Sequence, residues 1–152
     1  LWSRTTVPRD SGSRAQDSLA PEDDVMFENA KAFSSFSTPD LAKAKDFYGR
    51  TLGLDVRQTN EGLELHLGGG TTVFIYPSSD YTPPEHTVLN FVVDDIDAAV
   101  NALSNRGVRL EHYDLPEIKT DERGIFRGEM GPKAIAWFKD PAGHILSVLQ
   151  ER

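Results

Sequence analysis

Apolar residues return every three or four positions over two stretches of the chain and alternate with polar residues over much of the rest. Leu41, Ala44, Phe47, Tyr48 and Leu52 fall on one side of a helix, and so do Ile96, Ala99, Val100 and Leu103. An aspartate precedes each run, Asp40 and Asp95. A carboxylate there can accept from the unpaired N–H groups of a first helical turn. Each run ends at a glycine, Gly53 or Gly107, a residue that reaches positive φ without steric cost. The alternating stretches predict strands near 32–38, 54–60, 62–67 and 71–76, then near 86–93, 108–113, 134–139 and 145–150. Asn60-Glu61-Gly62, Gly68-Gly69-Gly70 and Asp140-Pro141-Ala142-Gly143 supply the turns between hairpin strands.

These elements make one unit used twice. Phe36-Ser37-Thr38-Pro39-Asp40-Leu41 is matched, 55 residues later, by Phe91-Val92-Val93-Asp94-Asp95-Ile96. Each copy reads β-α-β-β-β, the first over about 31–77 and the second over about 86–150. The expected class is α+β, two tandem modules in a single domain spanning 26–152. The copies differ in one connection. The second carries a long stretch, Asp114 to Lys133, rich in charge and punctuated by Gly124, Gly128 and Gly131. It reads either as a solvated loop or as a lid over a cavity.

Composition narrows the function. The chain has 152 residues, 38% hydrophobic and 26% charged, enough apolar material for a core. It has no cysteine, which removes disulfides, zinc–thiolate sites and cysteine nucleophiles. A net charge of −8 disfavours nucleic acid and favours cationic small molecules. No long apolar run suggests a membrane span, and the expected location is the cytoplasm. Residues 1–25 differ in composition. Val7-Pro8-Arg9-Asp10-Ser11 resembles a protease-site or vector remnant, and Met26 reads as a natural start, so this tail is set apart from the domain.

Three segments on the duplicated unit carry a family resemblance. Asp46-Phe47-Tyr48 followed by Leu52-Gly53-Leu54, the run Val92 to Val100, and Phe138-Lys139-Asp140-Pro141-Ala142-Gly143-His144 resemble the helix, second-module start and closing hairpin of the vicinal-oxygen-chelate superfamily. That superfamily includes glyoxalases, bleomycin-resistance proteins and extradiol dioxygenases. The resemblance covers about 31–150 and implies curved sheets around a pocket, helices on the convex face and a homodimer. It also implies metal ligands, His, Gln or Glu, on the first and last strand of each module. Carried onto this chain, those positions fall near Phe33, Phe74, Val88 and Ser147. Phe and Val cannot coordinate a metal, so neither a metal nor another cofactor is expected.

Strand parity then defines the candidate ligand site: Phe33, Ser35, Phe74, Tyr76, Val88, Asn90 and Ser147, to which Arg127 from the long connection and Trp137, on a strand apolar on both faces where parity does not decide, are added. A core that simply fills the former metal space is the competing reading. His66 and Glu64, two apart on one strand, are the candidate catalytic base pair. His66 and His86 with Glu64 or a loop carboxylate are the candidates for a non-standard metal site. The leading expectation is a metal-independent protein that binds a small organic molecule. A glyoxalase-like lyase or isomerase is the alternative, with a non-catalytic interaction module behind it.

Overall fold

A computed structural model describes residues 27–152. The expectation for the tail, residues 1–25, lies outside the described residues. Residues 34–152 form one compact unit, to which 27–33 do not belong.

The duplicated unit is present. The first module runs β1 (Ser34–Thr38), α1 (Leu41–Lys45), β2 (Asp55–Gln58), β3 (Leu63–His66) and β4 (Thr72–Pro77). The second runs β5 (Thr87–Val92), α2 (Ile96–Asn105), β6 (Ile125–Phe126), β7 (Ala134–Lys139) and β8 (Ile145–Gln150). Each module is a four-stranded mixed sheet, ordered β1-β4-β3-β2 and β5-β8-β7-β6, in which the first strand lies parallel to the last. The α+β expectation therefore holds. Both predicted caps form: Asp40 accepts from the Lys43 amide, and Asp95 from the amides of Asp97 and Ala98.

The first helix does not stay α-helical. After Lys45 it widens into a π-helical run, Asp46–Thr51, closed by an i→i−5 bond from the Leu52 amide to the Phe47 carbonyl at 2.9 Å. Phe47 and Tyr48 are both buried there. Gly53 follows at φ 76°, as the turn out of the helix requires.

The register assigns every strand residue a face. Leu63, Leu65, Val73 and Ile75 of the first sheet, and Ala136, Phe138, Leu146 and Val148 of the second, point toward the helices. They join Tyr48, Val100 and Leu103 in one buried cluster spanning both modules.

The sixth strand differs from expectation. The sequence predicts it at 108–113, but the edge of β7 is covered in two pieces. Leu110 bridges to Phe138, and the Glu111 amide donates to the Trp137 carbonyl at 2.8 Å. Ile125 and Phe126 then pair with Ala136 and Ile135. The residues between leave the sheet as a small hairpin, with Asp114 bridged to Lys119 and the Thr120 hydroxyl accepting from the Tyr113 amide. The long connection is thus ordered. The alternation at 108–113 reflects a strand that is interrupted after its ladder contact at Leu110 and resumes at Ile125.

Candidate functional site

Each sheet has a second face that carries no helix. On the first sheet, Ser35, Phe74, Glu64 and Arg57 lie side by side across β1, β4, β3 and β2. Ser37 faces Tyr76 in the row on one side of them, and Thr72, His66 and Asp55 make the row on the other. Phe74 and Tyr76, two apart on β4, stack with ring centroids 6.4 Å apart and planes tilted by 17°. Tyr76 is 42% exposed.

The Phe74 ring owes its position partly to a missing side chain. A Cβ on Gly62 would stand 2.2 Å from the Ile75 carbonyl oxygen and 3.1 Å from Phe74 Cζ. Only glycine lets the β2–β3 turn come this close to β4.

Charge gathers at the outer edge of this face. His66 Nε2 lies 3.0 Å from Glu64 Oε1, and both side chains are partly exposed. Arg57 pairs with Asp55 at 2.9 Å, and the hydrogen bond from that guanidinium holds the Asp55 carboxyl below its usual range. The sequence-predicted pair His66 and Glu64 is therefore brought together, on the same face as Phe74.

The second sheet presents a different surface. Asn90, Ser147 and Trp137 form one row, Val92, Leu149, Ile135 and Phe126 the next. Ser147, fully buried, donates to the Asn90 side-chain oxygen. Tyr113, from the hairpin, packs edge-on against Trp137 at 5.3 Å, and Phe126 lies 6.5 Å from the same ring. One module thus offers stacked aromatics beside charges, and the other an aromatic and aliphatic surface with one amide–hydroxyl pair. The face of Trp137, which alternation in an apolar strand leaves open, is settled by its register with Ser147.

Two predicted site residues lie elsewhere, and a third, Phe33, falls outside the compact unit. Phe33 precedes β1 and is 68% exposed. Val88 sits where the β5–β8 register shifts, between Thr87 and Leu89, and packs against the core cluster. A bulge breaks the strict alternation that would place it beside Asn90. Arg127 donates to Asp97 at 3.1 Å, at the start of α2 on the helix side. Arg123 donates to the same carboxylate at 2.6 Å and to Asn101 at 2.7 Å, so the long connection is fastened to α2.

The residues at the four positions of the family's metal ligands, Phe33, Phe74, Val88 and Ser147, do not fit a metal. Among the described residues, no three His, Asp or Glu side chains come together in a way that could hold an ion. His86 is exposed, and the exposed His112 lies 3.1 Å from the Glu122 carbonyl oxygen.

A groove of about 620 Å³ is also present, between the first helix and β2, lined by Leu41, Lys45, Arg50, Val56 and Gln58 among others. It contains none of the predicted site residues. Its charged groups are engaged, Arg50 in an ion pair with Asp46 and Lys45 in a hydrogen bond to the neutral Gln58 side chain.

The sequence reading misses one polar cluster. Tyr48 donates to Asp140 Oδ2 at 2.6 Å, and His144 Nδ1 lies 2.7 Å from the same oxygen. Tyr81 Oη lies 3.0 Å from His144 Nε2 and donates to the Ala142 carbonyl at 3.1 Å. Asp140 Oδ1 accepts from the amides of Ala142 and His144. Burial pushes the Asp140 carboxyl up, but hydrogen bonds from His144 and Tyr48 outweigh it and leave the group below its ordinary range. Tyr48 is driven strongly upward, first by burial and then by the Asp140 charge, so it remains a phenol. His144 is fully buried with its ring 4.3 Å from that of Phe36. This cluster joins the two modules and has no route to solvent through His144. The available signal was the pairing of a helix tyrosine with an Asp-Pro turn across the repeat.

The model of the Glyoxalase/Bleomycin resistance protein/Dioxygenase superfamily matches residues 33–148. Among solved structures, the chain is similar to TnmS3, described as an antibiotic binding protein, from a Streptomyces species. The two are 26% identical, with a TM-score of 0.52, over 81% of this chain and 98% of that one. A glyoxalase family protein from Enterococcus faecalis is 22% identical, with a TM-score of 0.59, over 82% and 99%. A glyoxalase/bleomycin resistance protein/dioxygenase from Alicyclobacillus acidocaldarius is 18% identical, with a TM-score of 0.55, over 83% and 94%. The last two likenesses concern the fold alone. No curated protein matches the chain.

Proposed function

Since the chain belongs to the Glyoxalase/Bleomycin resistance protein/Dioxygenase superfamily, we propose that it binds a small organic molecule on the helix-free faces of its two sheets, without a metal. The observation that carries this reading is the stacked pair Phe74 and Tyr76, which shares a face with Glu64. An aromatic wall beside a carboxylate suits a planar, cationic ligand, and a net charge of −8 adds long-range attraction. The aromatic and aliphatic surface around Trp137 would take the apolar part of such a molecule. The similarity to an antibiotic binding protein supports a drug-like ligand class.

The chain would act as a homodimer in the cytoplasm. Tyr76 and Val92, 42% and 62% exposed on the helix-free faces, are large apolar residues that a second copy or a ligand would cover. Among the described residues, no helix is long and apolar enough to cross a membrane.

Titration with hydrophobic cationic drugs, followed by tryptophan fluorescence, tests the proposal. Saturable binding at micromolar concentrations, weakened by Phe74→Ala and unchanged by a chelator, is the expected result. Absence of binding at high micromolar concentrations overturns it.

A second reading rests on the contact between His66 and Glu64. A carboxylate that orients an imidazole beside an aromatic surface is suited to proton abstraction. Under this reading the protein is a metal-independent isomerase or lyase. Turnover that is unchanged in His66→Ala removes His66 as the base.

A further inference from the structure

A second cavity lies on the other side of the molecule from the proposed ligand face, where the modules meet beneath the helices. Its volume is about 220 Å³. Leu52 and Leu54 contribute from the end of the first helix, Phe91 and Phe138 from the helix side of the second sheet, and Ala99 and Ala102 from α2. Apart from Thr51 and Arg106, every side chain lining it is apolar.

Arg106 sets this cavity apart from an ordinary packing defect. It stands at the C-terminal end of α2 and lines the cleft. The chain as a whole is acidic, and other arginines are engaged: Arg50 with Asp46, Arg57 with Asp55, Arg123 and Arg127 with Asp97. Among the described residues, no side-chain hydrogen bond or ion pair reaches the guanidinium of Arg106 or of Arg109; both are exposed, and of the two only Arg106 lines this cleft. A planar fork of donors beside an apolar cleft is complementary to a carboxylate attached to an apolar body, because guanidinium and carboxylate can form two parallel hydrogen bonds. Size agrees. An apolar cavity of about 150 Å³ takes up benzene, so this cleft has room for one ring and a small substituent.

We propose that the cleft is a separate binding site for a small apolar carboxylate, an aromatic or short aliphatic acid. Its hydrocarbon part rests against Phe91 and the two alanines, which are partly exposed, and its carboxylate meets Arg106. Ala99 and Ala102 keep the space open, since any larger side chain would enter it. This site does not depend on the ligand face proposed above. Phe91 and Phe138 point to the opposite side of the sheet from Asn90 and Trp137.

The test is a nuclear magnetic resonance titration of the full chain with benzoate, and with benzamide as the neutral match. Benzoate is expected to shift the signals of Ala99, Ala102, Leu103 and Arg106 and to leave those of Phe74 and Tyr76 in place. Arg106→Gln should weaken benzoate roughly tenfold, the order expected of a lost charge-assisted contact, with benzamide unaffected. Ala102→Leu should abolish binding of both while the rest of the spectrum stays native. Ala99→Val serves the same purpose if the leucine variant does not fold. Three results overturn the proposal: no benzoate-dependent shift in the cleft, benzamide bound as well as benzoate, or cleft signals that move with protein concentration alone, which would mean that a second copy covers it.

Discussion

Tyr48 and Asp140, 92 residues apart in sequence, share a hydrogen bond of 2.6 Å that ties the π-helical turn of the first module to the closing hairpin of the second. The phenol is fully buried and the carboxylate nearly so. Tyr48→Phe keeps the ring and removes only the donor. It should cost about 1.5–3 kcal/mol, the range for a hydrogen bond to a charged group. Urea unfolding measures this, and a loss below about 0.5 kcal/mol would show that the contact does not hold the modules together.

The same carboxylate sets an acid limit. The pKa of Asp140 is lowered in the folded chain, so its contribution to stability is complete above the ordinary aspartate value, about 3.9, and disappears as pH falls through the lower, folded value. Asp140→Asn should therefore be less stable at neutral pH, and its stability should fall less steeply below pH ~4. Chemical unfolding across the acid range separates these effects. Parallel pH profiles for the two proteins would mean that the folded and unfolded states bind the Asp140 proton equally.

Gly62 is a steric requirement. Since an added Cβ would lie 2.2 Å from the Ile75 carbonyl oxygen, Gly62→Ala must push β4 away from the turn. A loss of about 1–3 kcal/mol is expected, as for other overpacking changes, together with altered chemical shifts for Phe74. Gly53→Ala is the comparison. It meets nothing within 4 Å and is strained only by its φ of 76°. An effect on Phe74 from Gly53→Ala but not from Gly62→Ala would contradict the assignment.

Asp97 fastens the long connection. Its carboxyl is held below its usual range chiefly by the hydrogen bond from Arg123. The groups are exposed, so added salt should weaken the attachment. Asp97→Asn should speed amide exchange over 121–127 with little change in the global unfolding midpoint. Unchanged exchange there would mean that the β6 pairing and the Asp121 turn, where the carboxylate accepts from the amides of Arg123 and Ile125, suffice alone.

The repeat, both helix caps and the two-sheet architecture were legible in the sequence, because period-3.6 and period-2 patterns and Asp caps are local signals. Parity alone placed Ser35, Phe74 and Tyr76 together, and likewise Asn90 and Ser147. It failed where geometry is non-local. Val88 lies at a bulge, which no alternation reveals, and the partner of β7 is assembled from two segments separated by a hairpin. The widening of the first helix allows both Phe47 and Tyr48 to be buried, a demand set by packing rather than propensity. Arg127 sits on a flexible-looking stretch whose attachment to Asp97 depends on tertiary contact. The Tyr48–Asp140–His144 cluster is missed for the same reason, since each member alone reads as core or turn.

The ligand reading rests most directly on what the folded chain retains. Native mass spectrometry of freshly purified protein, prepared without chelator and titrated with a hydrophobic cationic drug, reads subunit number, metal and ligand together. A dimer that takes up one drug molecule per chain and carries no divalent metal is the predicted result. A stoichiometric divalent metal, with drug uptake that depends on it, would contradict the account.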